Sequence, residues 1–158
     1  MNYKINRAYA KLYGSIYAPD LYGEVYFYAV EGGAEIFAEI WGLPLYQPAN
    51  GGDPIGPLGF HIHEYGVCEI IDPMDPYESA GSHYNPDNQP HGNHAGDFPV
   101  LFSNNGYARM SFFTDKFRVS DVVGRSVLIH QNPDDYRTQP SGNSGKRIAC
   151  GVIVAGYW

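Results

Sequence analysis

The chain has 158 residues, 44% of them hydrophobic and only 17% charged, with 14 Tyr, 19 Gly and 12 Pro. That length suits one domain with a substantial core, and the Tyr, Gly and Pro content favours strands joined by irregular loops, so we expect a single all-β domain over 1–158. The formal net charge of −7 argues against general affinity for nucleic acid or an anionic membrane, which need clustered Lys and Arg, and no run approaches the ~20 apolar residues that cross a bilayer.

In chain order, "MNYKINRAYAKLYGSIYAPD" lacks the apolar centre and small-residue cleavage site of a secretory leader. As written the chain therefore reads as cytoplasmic, and as extracytoplasmic if a leader has been removed. Alternation in steps of two begins in "AKLYGSIYA", where Leu12, Gly14 and Ile16 face one way and Lys11, Tyr13 and Ser15 the other. It continues in "EVYFYAV" and "AEIFAEIWGL", with Gly32-Gly33 between them as a hairpin turn. These predict three antiparallel strands. Tyr9, Tyr13, Tyr17, Tyr22, Tyr26 and Tyr28 give this region an aromatic surface, suited to a second subunit in a homodimer or simply to covering a barrel. Five more strands are predicted at 59–63, 100–103, 107–113, 126–130 and 148–155, with "SNNG" as a tight turn between the fifth and sixth. Eight short strands imply a closed sandwich or barrel. Two connections, about 64–98 and 131–147, are long and rich in Pro, Gly, Asn and Asp, and long ordered loops usually serve a function or are pinned by something. "VSDVVG" is read as a turn of helix.

Five of the six histidines fall between Gly59 and Asp97. His61 and His63, two apart on a strand, present their rings on one face with Ile62 directed into the core. Such a pair chelates copper, zinc, iron or nickel, so it names no metal, and two surface histidines on an edge strand would look the same. The loop adds His83, and "HGNHAGD" adds His91, His94 and Asp97 at spacings of three. Three nitrogens and a carboxylate make a tetrahedral zinc set. His130 closes the seventh predicted strand, which brings every histidine into one proposed cluster. Cys68 and Cys150 are too far apart for a CxxC site and are either a disulfide pair or two buried thiols.

The motifs "GFHIHEYG", "AGSHYNP", "HAGD", "GRSVLIHQNPDD" and "GNSGKRIACGVI", in this order from Gly59 to the C-terminus, resemble the copper-zinc superoxide dismutases. The resemblance implies an eight-stranded antiparallel Greek-key β-barrel with two functional loops, and a chain that disproportionates superoxide using copper and zinc. It implies copper on His61, His63, His83 and His130, and zinc on His91, His94, Asp97 and the same His83, whose deprotonated ring would bridge the metals and act in catalysis. Asp134 matches a carboxylate that hydrogen-bonds one histidine of each metal, here His61 and His91. Arg147 matches the active-site arginine; its guanidinium never deprotonates at working pH and suits a small anion, although an arginine anchoring a loop through carbonyls would look alike in sequence. Ser141 stands where the family usually has a threonine at the rim of the anion channel, and Lys146 and Arg137 extend the positive path. The resemblance also implies a Cys68–Cys150 disulfide. The interval between His91 and His94 is shorter than in better-known members, and the last loop lacks their guiding charges. Two other readings compete. One is a superoxide-dismutase-like copper-binding or delivery domain without activity, which loss of a copper histidine or of Arg147 would favour. The other is a cupin-type metal enzyme, disfavoured because its glycine–proline–histidine motif is absent.

Overall fold

A computed structural model describes residues 5–156, so the first four residues of the segment read for a leader lie outside it. Seven strands form one curled antiparallel sheet. They are β1 (Arg7–Gly14), β2 (Tyr22–Val30), β3 (Gly33–Trp41), β4 (Phe60–His63), β5 (Ala108–Thr114), β6 (Ser126–His130) and β7 (Arg147–Ala155), in the order β4-β6-β7-β1-β2-β3-β5. A 3-10 turn at Glu78–Ala80 and one helical turn, α1 (Val119–Val122), are the only helical pieces among the described residues. None is long and apolar enough to cross a membrane.

The alternation on β1 to β3 has its physical cause in the core. Ala10, Leu12, Val25, Phe27, Ile36 and Ile40 are fully buried, while the tyrosines and charged residues between them face outward. Val30 pairs with Gly33, which makes Glu31-Gly32 the two-residue hairpin loop and Gly33 the first residue of β3. At 104–107 both central residues, Asn105 and Gly106, have positive φ; this is the turn type that matches strand twist.

Three expectations are corrected, the first being the hairpin turn, which is Glu31-Gly32 and not Gly32-Gly33. The first strand stops at Gly14, because its N–H turns to Leu21 O (2.9 Å) and Ala18 O occupies the space a Cβ would need there. Beyond it the alternation inverts, with Ser15 buried and Ile16 58% exposed. The strand predicted at 100–103 does not form, so the sheet has seven strands and not eight. Leu58 and Leu101 exchange a backbone pair, but Pro99 has no N–H to give a ladder, and the Val100 N–H is taken by the Tyr136 hydroxyl (2.8 Å). The segment still covers the outer edge of β4, through the Leu58–Leu101 and His61–Asp97 bridges.

The short strands β4 and β6 are buried on both faces. Phe60, Ile62, Val127 and Ile129 join the main core, whereas Leu128 packs outward with Tyr77, Ala80 and Cys150 beneath the first long loop. Cys68 and Cys150 are disulfide-bonded across 82 residues, tying that loop to β7.

Candidate metal centre

His61 and His63 leave β4 on the face opposite Ile62, as the strand period requires, and His130 ends the adjacent strand β6. His83 pairs with His63 in an isolated bridge, which swings the first long loop over the sheet. All six histidines are buried. Two groups result: His61, His63, His83 and His130, and then His83, His91, His94 and Asp97, each with ligand atoms within 4.8 Å of one another. His83 belongs to both.

Hydrogen bonds decide which ring nitrogen each histidine offers. His63 Nδ1 lies 2.9 Å from Gly81 O and His130 Nδ1 3.4 Å from Gly145 O, so each N–H is committed to a carbonyl and each Nε2 carries a lone pair. Those two Nε2 atoms are 3.1 Å apart, an arrangement that a proton or a cation between them makes favourable. Asp134 binds His61 Nε2 through Oδ2 (2.6 Å) and His91 Nε2 through Oδ1 (2.8 Å), leaving Nδ1 of both rings without a hydrogen bond, that of His91 3.3 Å from Asp97 Oδ2. His61 Nδ1, His83 Nε2, His91 Nδ1 and His94 Nδ1 are buried with no hydrogen-bond partner. Orphaned buried nitrogens are costly in a folded protein, and here they converge. The donor sets, four imidazoles on one side and three with a carboxylate on the other, suit copper and zinc.

Burial pushes the His61 and His63 imidazoles well below their ordinary range, reinforced by the neighbouring histidines. His130 is lowered to about 3, by burial first and His83 next. The rings are therefore neutral, the form that binds metal. Burial alone would raise Asp97, but its hydrogen bond with His83 and the surrounding imidazoles outweigh that and hold it at about 2.

Arg147 starts β7 and reaches back over the loop, donating from Nη1 to Tyr77 O (2.5 Å) and Glu78 O (3.2 Å) and from Nη2 to Gly81 O (2.7 Å). It anchors the loop that carries His83, while Nε and the second Nη2 proton have no protein acceptor among the described residues. The Lys146 ammonium donates to the Tyr17 hydroxyl (2.8 Å) and lies over the same ring. Ser141 accepts through its carbonyl from Ser144 Oγ (2.6 Å), and Arg137 is exposed.

The sequence reading missed several supporting residues. A Cβ on Gly142 would overlap Asp134 Oδ1 and crowd His91 Nε2, and its φ is +70°. Tyr136 donates its N–H to Asp134 Oδ1 (2.7 Å), and Gln139 contacts the His91 backbone. Only the glycines of "SGNSG" hinted at such close approach.

A β-barrel that buries two histidine-rich ligand groups sharing one imidazole defines a two-metal protein of the copper–zinc type. The family model described as "Copper/zinc superoxide dismutase (SODC)" matches residues 21–153, and the chain belongs to that family. It is 37% identical over 139 residues to Superoxide dismutase [Cu-Zn] 2 of Aquifex aeolicus (strain VF5), covering 78% of this chain and 79% of that protein. It is 38% identical over 128 residues to Superoxide dismutase-like protein YojM of Bacillus subtilis (strain 168), covering 72% of this chain and 63% of that one. Among solved structures it resembles Cu/Zn superoxide dismutase from Brucella abortus, with a TM-score of 0.73 and 27% identity over 92% of this chain and 98% of that chain.

Proposed function

We infer that the chain is a superoxide dismutase that converts superoxide to oxygen and hydrogen peroxide, with copper and zinc as its metals. The observation that carries this is the shared His83, flanked by orphaned nitrogens on both sides. His61, His63, His83 and His130 would hold copper through Nδ1, Nε2, Nε2 and Nε2. His83, His91, His94 and Asp97 would hold zinc. Copper held there would supply the one-electron redox chemistry that disproportionation of superoxide needs. His83 would hold and deliver a proton at Nε2 only when that atom is not bound to copper, while Asp97 faces its Nδ1 (3.0 Å). Asp134 orients His61 and His91 together, because each of its oxygens holds one ring. Arg147 attracts the anion with the donors its carbonyl bonds leave over. Ser141, Lys146 and Arg137 line the approach, Lys146 with its charge held beside Tyr17.

The remaining partners follow the same reading. Superoxide is the substrate, nucleic acid and membrane are not partners, and a second copy is the protein partner that the exposed Tyr13 and Tyr22 would suit. The whole of 1–158 acts as one domain. The Cys68–Cys150 bond supports an oxidising, extracytoplasmic setting over a reducing cytosol.

Metal content and superoxide consumption, measured on three variants, test the assignment. Asp97→Ala should lose zinc and keep copper, His130→Ala should lose activity and keep zinc, and Asp134→Ala should weaken both metals about 10- to 100-fold. Unchanged zinc in Asp97→Ala would leave a copper-only enzyme as the better reading.

A further inference from the structure

We propose that Gln139 is a positioning residue for His91, and that through it the short loop at 91–97 and the second long loop order together when zinc binds. This rests on the assignment of His91 to zinc made above. With two residues between His91 and His94, the loop has little backbone of its own to support it. Most of its polar groups are satisfied locally. Gly92 and His94 donate their N–H groups to Asp97 Oδ2 (2.9 and 3.0 Å), and Asn93 donates to Pro90 O (3.1 Å).

The backbone of His91 is satisfied from another loop. Its N–H donates to Gln139 Oε1 (2.8 Å), and its carbonyl accepts from Gln139 Nε2 (3.2 Å). Nε2 also donates to Arg137 O (3.1 Å), which pins the carboxamide to its own loop and fixes which end is the donor. One primary amide therefore reads both polar groups of one residue, and a carboxylate or a shorter side chain cannot do so. The same loop grips His91 at its ring through Asp134 and lays Tyr136 O against Gly92, where no Cβ would fit. His91 is thus held at ring, N–H and C=O by the loop at 131–146. Whatever zinc gains from a fixed His91, it must return as order in that loop, because coupling between two sites is reciprocal.

The test uses the full chain, zinc affinity by chelator competition, the visible spectrum of the cobalt(II)-substituted protein, and trypsin cleavage at exposed Arg137 with and without zinc. Gln139→Met keeps the length and removes both bonds; Gln139→Glu keeps the acceptor for His91 N–H alone. We expect Gln139→Met to weaken zinc about 10-fold, to alter the cobalt spectrum, and to abolish protection of Arg137 by zinc, with Gln139→Glu intermediate. Zinc affinity within twofold of wild type in Gln139→Met, or equal affinities in the two variants, overturns the proposal. Asp97→Ala serves as the control: if it loses zinc while Gln139→Met does not, the positioning role alone fails, and if it keeps zinc, the ligand assignment itself fails.

Discussion

Four of the six rings at this centre turn one nitrogen to the metal side because something else holds the opposite one. Gly81 O holds His63, Gly145 O holds His130, and Asp134 holds both His61 and His91. Removing a holder should therefore act on metal geometry even where no ligand is changed. Gly142→Ala is the sharpest case, since the new methyl group meets the Asp134 carboxylate and the backbone has a left-handed φ that L side chains avoid. We expect both metals to bind about 10-fold more weakly and activity to fall with them; normal metal content by elemental analysis would show that Asp134 relaxes without consequence. Arg147 separates two roles in one residue. Arg147→Lys retains a charge but loses the three-carbonyl fork, so its kcat/KM should fall about 10-fold and its salt dependence persist, whereas Arg147→Leu should lose most of the salt dependence as well. Stopped-flow rates across ionic strength distinguish the two.

At the level of elements, the site depends on short strands being buried on both faces. β4 is four residues long and every one is buried, with the core beneath it and the first long loop above. That loop has little regular structure of its own, so its hold on the sheet comes from the Cys68–Cys150 bond, the small cluster of Tyr77, Ala80 and Leu128, and Arg147. Closing a loop of 82 residues stabilises by ~4–5 kcal/mol in the chain-entropy model. Replacing both cysteines by serine should lower the denaturation midpoint accordingly. Activity should fall further than the remaining folded fraction accounts for, because the carbonyls of Tyr77 and Gly81 would no longer be fixed against Arg147. Urea titration and activity on the same samples check this.

For the molecule as a whole, the concentration of buried imidazole sets the response to acid. In the metal-free protein His61, His63 and His130 stay neutral well below the range in which an unfolded histidine protonates, near pH 6.5. The unfolded chain then binds more protons than the folded one, so stability rises with pH through this window and is lost as pH falls from about 6.5 toward 3. Asp97, held at about 2, adds a loss of the same sign below the ordinary carboxylate range. Urea titrations of metal-stripped protein at several pH values from 7 to 4 should show this decline, and a flat profile would mean that the histidines are not buried neutral. Metal binding opposes the effect, since it favours the same deprotonated rings.

The sequence by itself determined the alternating centres of the first three strands, the presence though not the register of the Gly32-Gly33 turn, the turn at 104–107, and the residue types of both ligand groups. Those depend on local periodicity and on side-chain chemistry, and both are visible along the chain. It could not tell a surface HxH pair from a buried one, because burial of His61 and His63 comes from a loop folded back from 64–98. The strand expected at 100–103 looked sound locally, yet Pro99 and the hydroxyl of Tyr136, 36 residues onward, removed its ladder. Only the tertiary structure decided which nitrogen each histidine presents, that Lys146 lies against Tyr17, and that Gln139 and Gly142 support His91. Each of these is a contact between residues far apart in the chain, and its physical content is a distance that no spacing along the sequence encodes.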